Sequence, residues 1–185
     1  KLIILNVRPK KSAKLYKSIW TDEGSPLLAM SNNILKNLIQ IFAENKLDIT
    51  FDLGMRYGNP SIDKALKRFK DKAISKILVL PLYPQAGSPT TSSTLDAVNS
   101  YLSIQNWTPN LRFVSGYHDH QDYVSSLCNS IKNSFSENGI PDKLIFSYHG
   151  MPERYLHEGD PYYCFCHKTT RLVAEKLNLE SDFYE

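Results

Sequence analysis

The sequence predicts an α/β fold in which parallel strands carry helices on both faces. Three observations carry that prediction. Segments with apolar residues at helical spacing alternate with short β-prone runs. One of those runs, "KILVLPLY" (76–83), is apolar throughout, as a strand covered on both faces would be. Each strand candidate runs through a Gly- or Pro-containing loop into a helix, and successive strands joined through helices lie parallel.

Taken in order, the elements follow from their patterns. "SNNILKNLIQIF" (31–42) puts Ile34, Leu35, Leu38, Ile39 and Phe42 on one helical face, with Ser31 placed to cap it. "ITFDLGM" (49–55) alternates as a strand does. "SIDKALKRFK" (61–70) aligns Ile62, Ala65, Leu66 and Phe69 along a helix. The apolar strand 76–83 comes next, then a helix over 93–102 with Leu95, Val98 and Leu102 in register. "LRFVSGY" (111–117) is a third strand, and 121–135 a helix carrying Tyr123, Val124, Leu127, Ile131 and Phe135. "KLIFSYH" (143–149) is a fourth strand, stopped by Gly150 and Pro152. A helix over 169–179 closes the series.

Bulk properties exclude several classes. The chain has 185 residues, 42% hydrophobic and 22% charged, with a formal charge of +3. That charge is too small and too scattered for a nucleic-acid binder. The one basic run, "RPKKSAK" (8–14), reads as a solvated segment, with phosphate binding as the alternative. No apolar run nears the roughly 20 residues that span a bilayer, and "KLIILNV" is too short for a span. Three cysteines make no disulfide framework and fit a reducing, cytoplasmic setting. Eleven tyrosines, several beside Gly, Pro, Arg or His, suggest a lined pocket.

In a parallel sheet the loops after the strands emerge on one edge, where such folds place ligands. Arg56, Tyr57, Tyr83, Thr90, Thr91, Tyr117, His118 and His149 would converge there; loops are also polar for no functional reason. His149, just past a buried strand, is a ligand or acid–base candidate, against the alternative of a packed core histidine. His118 and His120, two apart with no third ligand near, read as surface groups, and His157 as solvated. "CFCH" (164–167) lacks zinc spacing and a second pair, and Cys128 lies on the apolar side of its helix. "AGSPTTSS" (86–93) suits either a phosphate cradle or a plain strand-to-helix turn. "YHDHQD" (117–122) is a candidate domain boundary.

Seven stretches together resemble the ferrochelatases of bacteria. They are "RPKKSAKLYKSIWTDEGSPLL", "MRYGNPSI", "ILVLPLYPQ", "SPTTSSTLDAV", "GYHDHQDYV", "DKLIFSYHGMPERY" and "GDPYYC", in the family's order. The resemblance implies two similar flavodoxin-like domains with a porphyrin cleft between them. Residues 1–118 would be most of the first domain and 119–185 the opening of the second. It implies insertion of Fe²⁺, a substrate, into protoporphyrin IX or a related porphyrin to form haem. His149 would be the metal-site and catalytic histidine, with Tyr16, Ser25, Arg56 and Tyr57 at the porphyrin. A non-catalytic porphyrin- or metal-binding module, or a cobalt or nickel chelatase, is the rival. Peripheral membrane contact stays open.

Measured against that family, a first strand would precede Lys1 and a glutamate-bearing stretch would follow Glu185. The expectation is a chain truncated at both ends and inactive alone. Some relatives carry an iron–sulfur cluster; Cys128, Cys164 and Cys166 supply three thiolates of the four a 2Fe-2S cluster needs, and the resemblance leaves the fourth to the segments outside this chain, so the cluster stays open.

Overall fold

A computed structural model describes Ala13 and residues 15–185. The basic run at 8–14, Ala13 apart, and the segment "KLIILNV" lie outside the described residues. The chain forms two compact units, one through Arg68 and one from Phe69 to Glu185.

In the first unit, helix α1 (Pro26–Glu44) starts at Ser25 rather than at Ser31. The Ser25 hydroxyl accepts the Leu28 N–H at 3.2 Å, and Pro26 at the first helical position lacks the N–H that would go unpaired there. Ser31 sits inside the helix and is buried. Gly24 takes φ +104° in the turn before the cap, where Thr21 and Gly24 exchange backbone hydrogen bonds. Residues 49–55 form no ladder among the described residues; Met55 alone bridges to Ser61. Alternation marks a two-faced extended segment, but only a hydrogen-bonded partner makes it a strand. Helix α2 (Ile62–Asp71) then buries Ile62, Ala65 and Leu66, as its spacing predicts. Phe42 meets Phe51 edge to face, ring centroids 5.0 Å apart.

The second unit contains strands β1 (Lys76–Val79) and β2 (Asn110–Phe113), paired in parallel with Ile77 opposite Leu111. β1 is shorter than its apolar run because Pro81 has no N–H to give a ladder. A π-type turn, Ser88–Ser92, leads into α3 (Ser93–Ser103), whose Val98 is 1% exposed. Helix α4 (Gln121–Asn138) follows, with the short α5 (Glu153–His157) and the long α6 (Tyr162–Leu177) after it. α6 begins seven residues before the predicted helix start at 169, so "CFCH" is helical.

The expected strand 143–149 is reduced to a short parallel pairing of Leu144 with Tyr184. Leu144 donates to the Phe183 carbonyl, Glu185 to Leu144, and Phe146 to Glu185. The core of this unit is Val124, Cys128 and Val173, wrapped by Leu127, Ile131, Phe146, Leu172 and Leu177. It joins α4 to α6, and each fully buried side chain of this size contributes about 1.5–3 kcal/mol.

Candidate functional site

The parallel register sends the loops after β1 and β2 to one edge, as predicted. They are tied directly: Tyr117 N–H donates to the Pro84 carbonyl at 3.0 Å. A second tie runs through Thr169 on α6, 1% exposed. Its hydroxyl donates toward the His118 carbonyl (2.9 Å) and the Phe165 carbonyl (3.0 Å), and accepts from Gln85 Nε2 (3.0 Å). One threonine thus fixes both loops against α6.

His149 lies on the next loop, and its backbone is pinned from both sides. The preceding Tyr148 hydroxyl pairs with Thr170 Oγ1 at 2.9 Å, and the His149 N–H donates to the Tyr162 hydroxyl at 3.1 Å. Burial and the bond to Thr170 act oppositely on the Tyr148 phenol; burial wins and pushes it up. The His149 residue itself is exposed. The backbone is therefore held while the imidazole is left accessible, which a group that must meet a substrate requires.

His118 differs from the surface reading. It is 7% exposed and stacks on Phe165 with ring centroids 3.7 Å apart. Its Nε2 has no hydrogen-bond partner, and Asp119 Oδ2 lies 3.9 Å away. Burial, the largest influence, holds its imidazole below the ordinary histidine range; Asp119 opposes and Lys168 reinforces. The sequence gives no sign of this, because Phe165 is distant along the chain. Tyr117 packs edge-on against Tyr123 at 5.5 Å, and Thr91 is buried. Tyr83 is exposed.

The loop 86–93 binds a carboxylate of its own chain. Asp160, 8% exposed, accepts the Ser88 N–H on Oδ2 at 2.7 Å and the Tyr162 N–H on Oδ1 at 2.9 Å. Burial alone would push this carboxyl up; the bonds from Ser88 and Tyr162 outweigh it and hold it below the usual range. The helix-start pattern Asp-Pro before α6 is the sequence signal for this residue, which the reading of the loops passed over.

The three thiols do not gather. Cys128 faces the Val173 carbonyl, Cys166 is buried, and Cys164 is exposed. Burial pushes Cys128 and Cys166 up, away from the thiolate a cluster needs. Among the described residues no three His, Cys, Asp or Glu side chains could hold a metal ion. The described thiols do not by themselves make an iron–sulfur cluster site.

The remaining candidates lie in the first unit. The Arg56 guanidinium carbon sits 4.6 Å from the Tyr57 ring centroid, a cation–π contact, and Tyr57 is 73% exposed. Ser25 is the α1 cap. Tyr16 is exposed beside Leu15, Ser18 and Ile19 along a shallow hollow.

A family model described as ferrochelatase matches residues 1–185. The chain belongs to the ferrochelatase family. It is 49% identical over 180 residues to Ferrochelatase 2 of Shewanella oneidensis, covering 97% of this chain and 55% of that protein. It is 50% identical over 186 residues to a ferrochelatase of Hydrogenovibrio crunogenus, 99% of this chain and 49% of that protein. A ferrochelatase of Marinobacter nauticus is 44% identical over 186 residues, 98% of this chain and 50% of its own. The chain spans about half the length of these curated relatives. Membership accords with the mixed α/β architecture and its parallel strand pair. Among the described residues no helix is long and apolar enough to cross a membrane.

Proposed function

We propose that this chain carries the histidine of a cytoplasmic ferrochelatase that inserts Fe²⁺ into protoporphyrin IX, forming haem. One observation carries the reading: in a chain of this family, the backbone of His149 is hydrogen-bonded in place while the residue stays exposed. Insertion releases two pyrrole protons as the porphyrin dianion takes the metal. A neutral imidazole accepts a proton or holds Fe²⁺ on its way in. Tyr57 offers a flat apolar face to the macrocycle, and Arg56 a fork for a carboxylate at its edge. Ser25 and Tyr16 add hydroxyl contacts. The order of the matching motifs supports 1–118 as most of one chelatase domain and 119–185 as the opening of the next. The three cysteines, none paired in a disulfide, support a reducing cytoplasmic location.

The test is metal insertion by a protein that carries this chain at the full length of its relatives, offered Fe²⁺, Co²⁺ and Zn²⁺ separately under anaerobic conditions and read by porphyrin absorbance. Fe²⁺ insertion is expected. Porphyrin binding without any insertion would replace the reading with a non-catalytic module. Insertion of Co²⁺ but not Fe²⁺ would replace it with a different chelatase.

A further inference from the structure

We infer that Tyr162, itself held by Asp160, is a positioning residue for His149. The inference deepens the proposed iron-insertion reading and rests on it.

The chain of contacts is short and lies within one compact unit. The His149 N–H donates to the Tyr162 hydroxyl at 3.1 Å. The Tyr162 N–H donates to Asp160 Oδ1 at 2.9 Å, while Asp160 Oδ2 takes the Ser88 N–H at 2.7 Å. One buried carboxylate therefore fixes both the loop after β1 and the first residue of α6. Gly87 packs closely here: a Cβ on it would stand 3.3 Å from Tyr162 Cβ, a tight contact, and 3.5 Å from Asp160 Oδ1.

The arrangement goes beyond ordinary helix capping. Asp160 takes the Tyr162 N–H at the start of α6, whereas the Tyr162 phenol pairs with no N–H of that helix and reaches back to residue 149. The phenol oxygen accepts from the His149 N–H. Asp160, Tyr162 and Ser88 thus convert a rigid helix start into a fixed backbone conformation at the exposed histidine. Misplacing a reacting group by about 1 Å costs up to roughly 100-fold in rate.

The test compares a protein carrying this chain at the full length of its relatives with its Tyr162→Phe variant, which keeps the ring and removes the acceptor. Fe²⁺ insertion is measured across porphyrin concentrations up to saturation, with His149→Ala as a parallel control. Exchange of the His149 amide is followed after selective ¹⁵N-histidine labelling. Expected for Tyr162→Phe is a kcat about tenfold lower, a porphyrin KM within about twofold of wild type, and His149 amide exchange about tenfold faster. Asp160→Asn, which loosens the phenol without removing it, should lower kcat in the same direction with KM unchanged. Unaltered amide exchange in Tyr162→Phe would show that the bond does not hold His149, and overturn the inference. So would an unaltered kcat, or a KM that rises as much as kcat falls, which marks general loosening. Normal turnover in His149→Ala defeats the underlying site assignment instead, whatever the exchange data show.

Discussion

Thr169→Val is expected to destabilise the second unit by about 2–3 kcal/mol. Valine keeps the shape and the methyl contacts, so the change isolates the hydroxyl. That hydroxyl accepts from Gln85 Nε2 at 3.0 Å and shares its proton between the His118 and Phe165 carbonyls. Two neutral hydrogen bonds contribute about 1 kcal/mol each. The site is 1% exposed, so water cannot replace them, and a stranded buried partner adds about 1 kcal/mol more. Gln85 keeps a weak second contact to the Tyr123 hydroxyl at 3.5 Å, which limits the loss. Thr169→Ser makes the opposite change. It keeps the bonds, deletes one methyl and should cost only about 1 kcal/mol. Urea unfolding read by Trp107, in a Trp20→Phe background, reports the second unit alone. The predicted order is wild type above Ser above Val. A Val variant within about 0.5 kcal/mol of wild type, or more stable than Ser, would refute the view that this hydroxyl ties the two site loops to α6.

Other outcomes follow from the same geometry. Tyr57→Ala should weaken porphyrin binding by about 1–3 kcal/mol, measured by fluorescence quenching, because it removes an exposed aromatic platform; unchanged affinity would remove Tyr57 from the site. The depressed His118 pKa makes stability fall with pH. Below about pH 6.5 the unfolded chain takes up a proton that the folded imidazole resists, so stability present at pH 7.5 is lost on the way down. The urea midpoint of wild type should therefore drop between pH 7.5 and 5.5 by more than that of His118→Phe, which keeps the ring stack on Phe165; equal drops would contradict the assignment. Val173→Ala, at the fully buried contact of α4 and α6, should cost about 2 kcal/mol by the same urea assay.

The helices were legible because each carries an amphipathic stripe. Ile62, Ala65 and Leu66 of α2 and Val124 and Cys128 of α4 are buried as spacing predicts. Helix starts were harder, since a cap competes with other serines nearby. Ser25 wins over Ser31 because Pro26 follows it and Gly24 supplies the turn. Strand extents were the least legible, because pairing depends on partners far along the chain. Among the described residues the run at 49–55 alternates without a ladder, and 143–149 keeps only the pairing of Leu144 with Tyr184. The edge that gathers the β1 and β2 loops followed from parallel order alone. The burial of His118 did not, because it depends on Phe165 across the fold. Asp160 carried a helix-start signal, but its grip on Ser88 joins loops that no local pattern relates.

The central claim, that His149 serves metal insertion, is tested most directly by His149→Ala in a protein that carries this chain at the full length of its relatives. Fe²⁺ insertion and porphyrin affinity should be measured on the same preparation. Removing a group that accepts protons or receives the metal should lower turnover by about 10²–10⁴-fold. Porphyrin affinity should stay within a few-fold, since the platform residues are untouched. Turnover near wild type in His149→Ala, with porphyrin bound normally, would contradict the account.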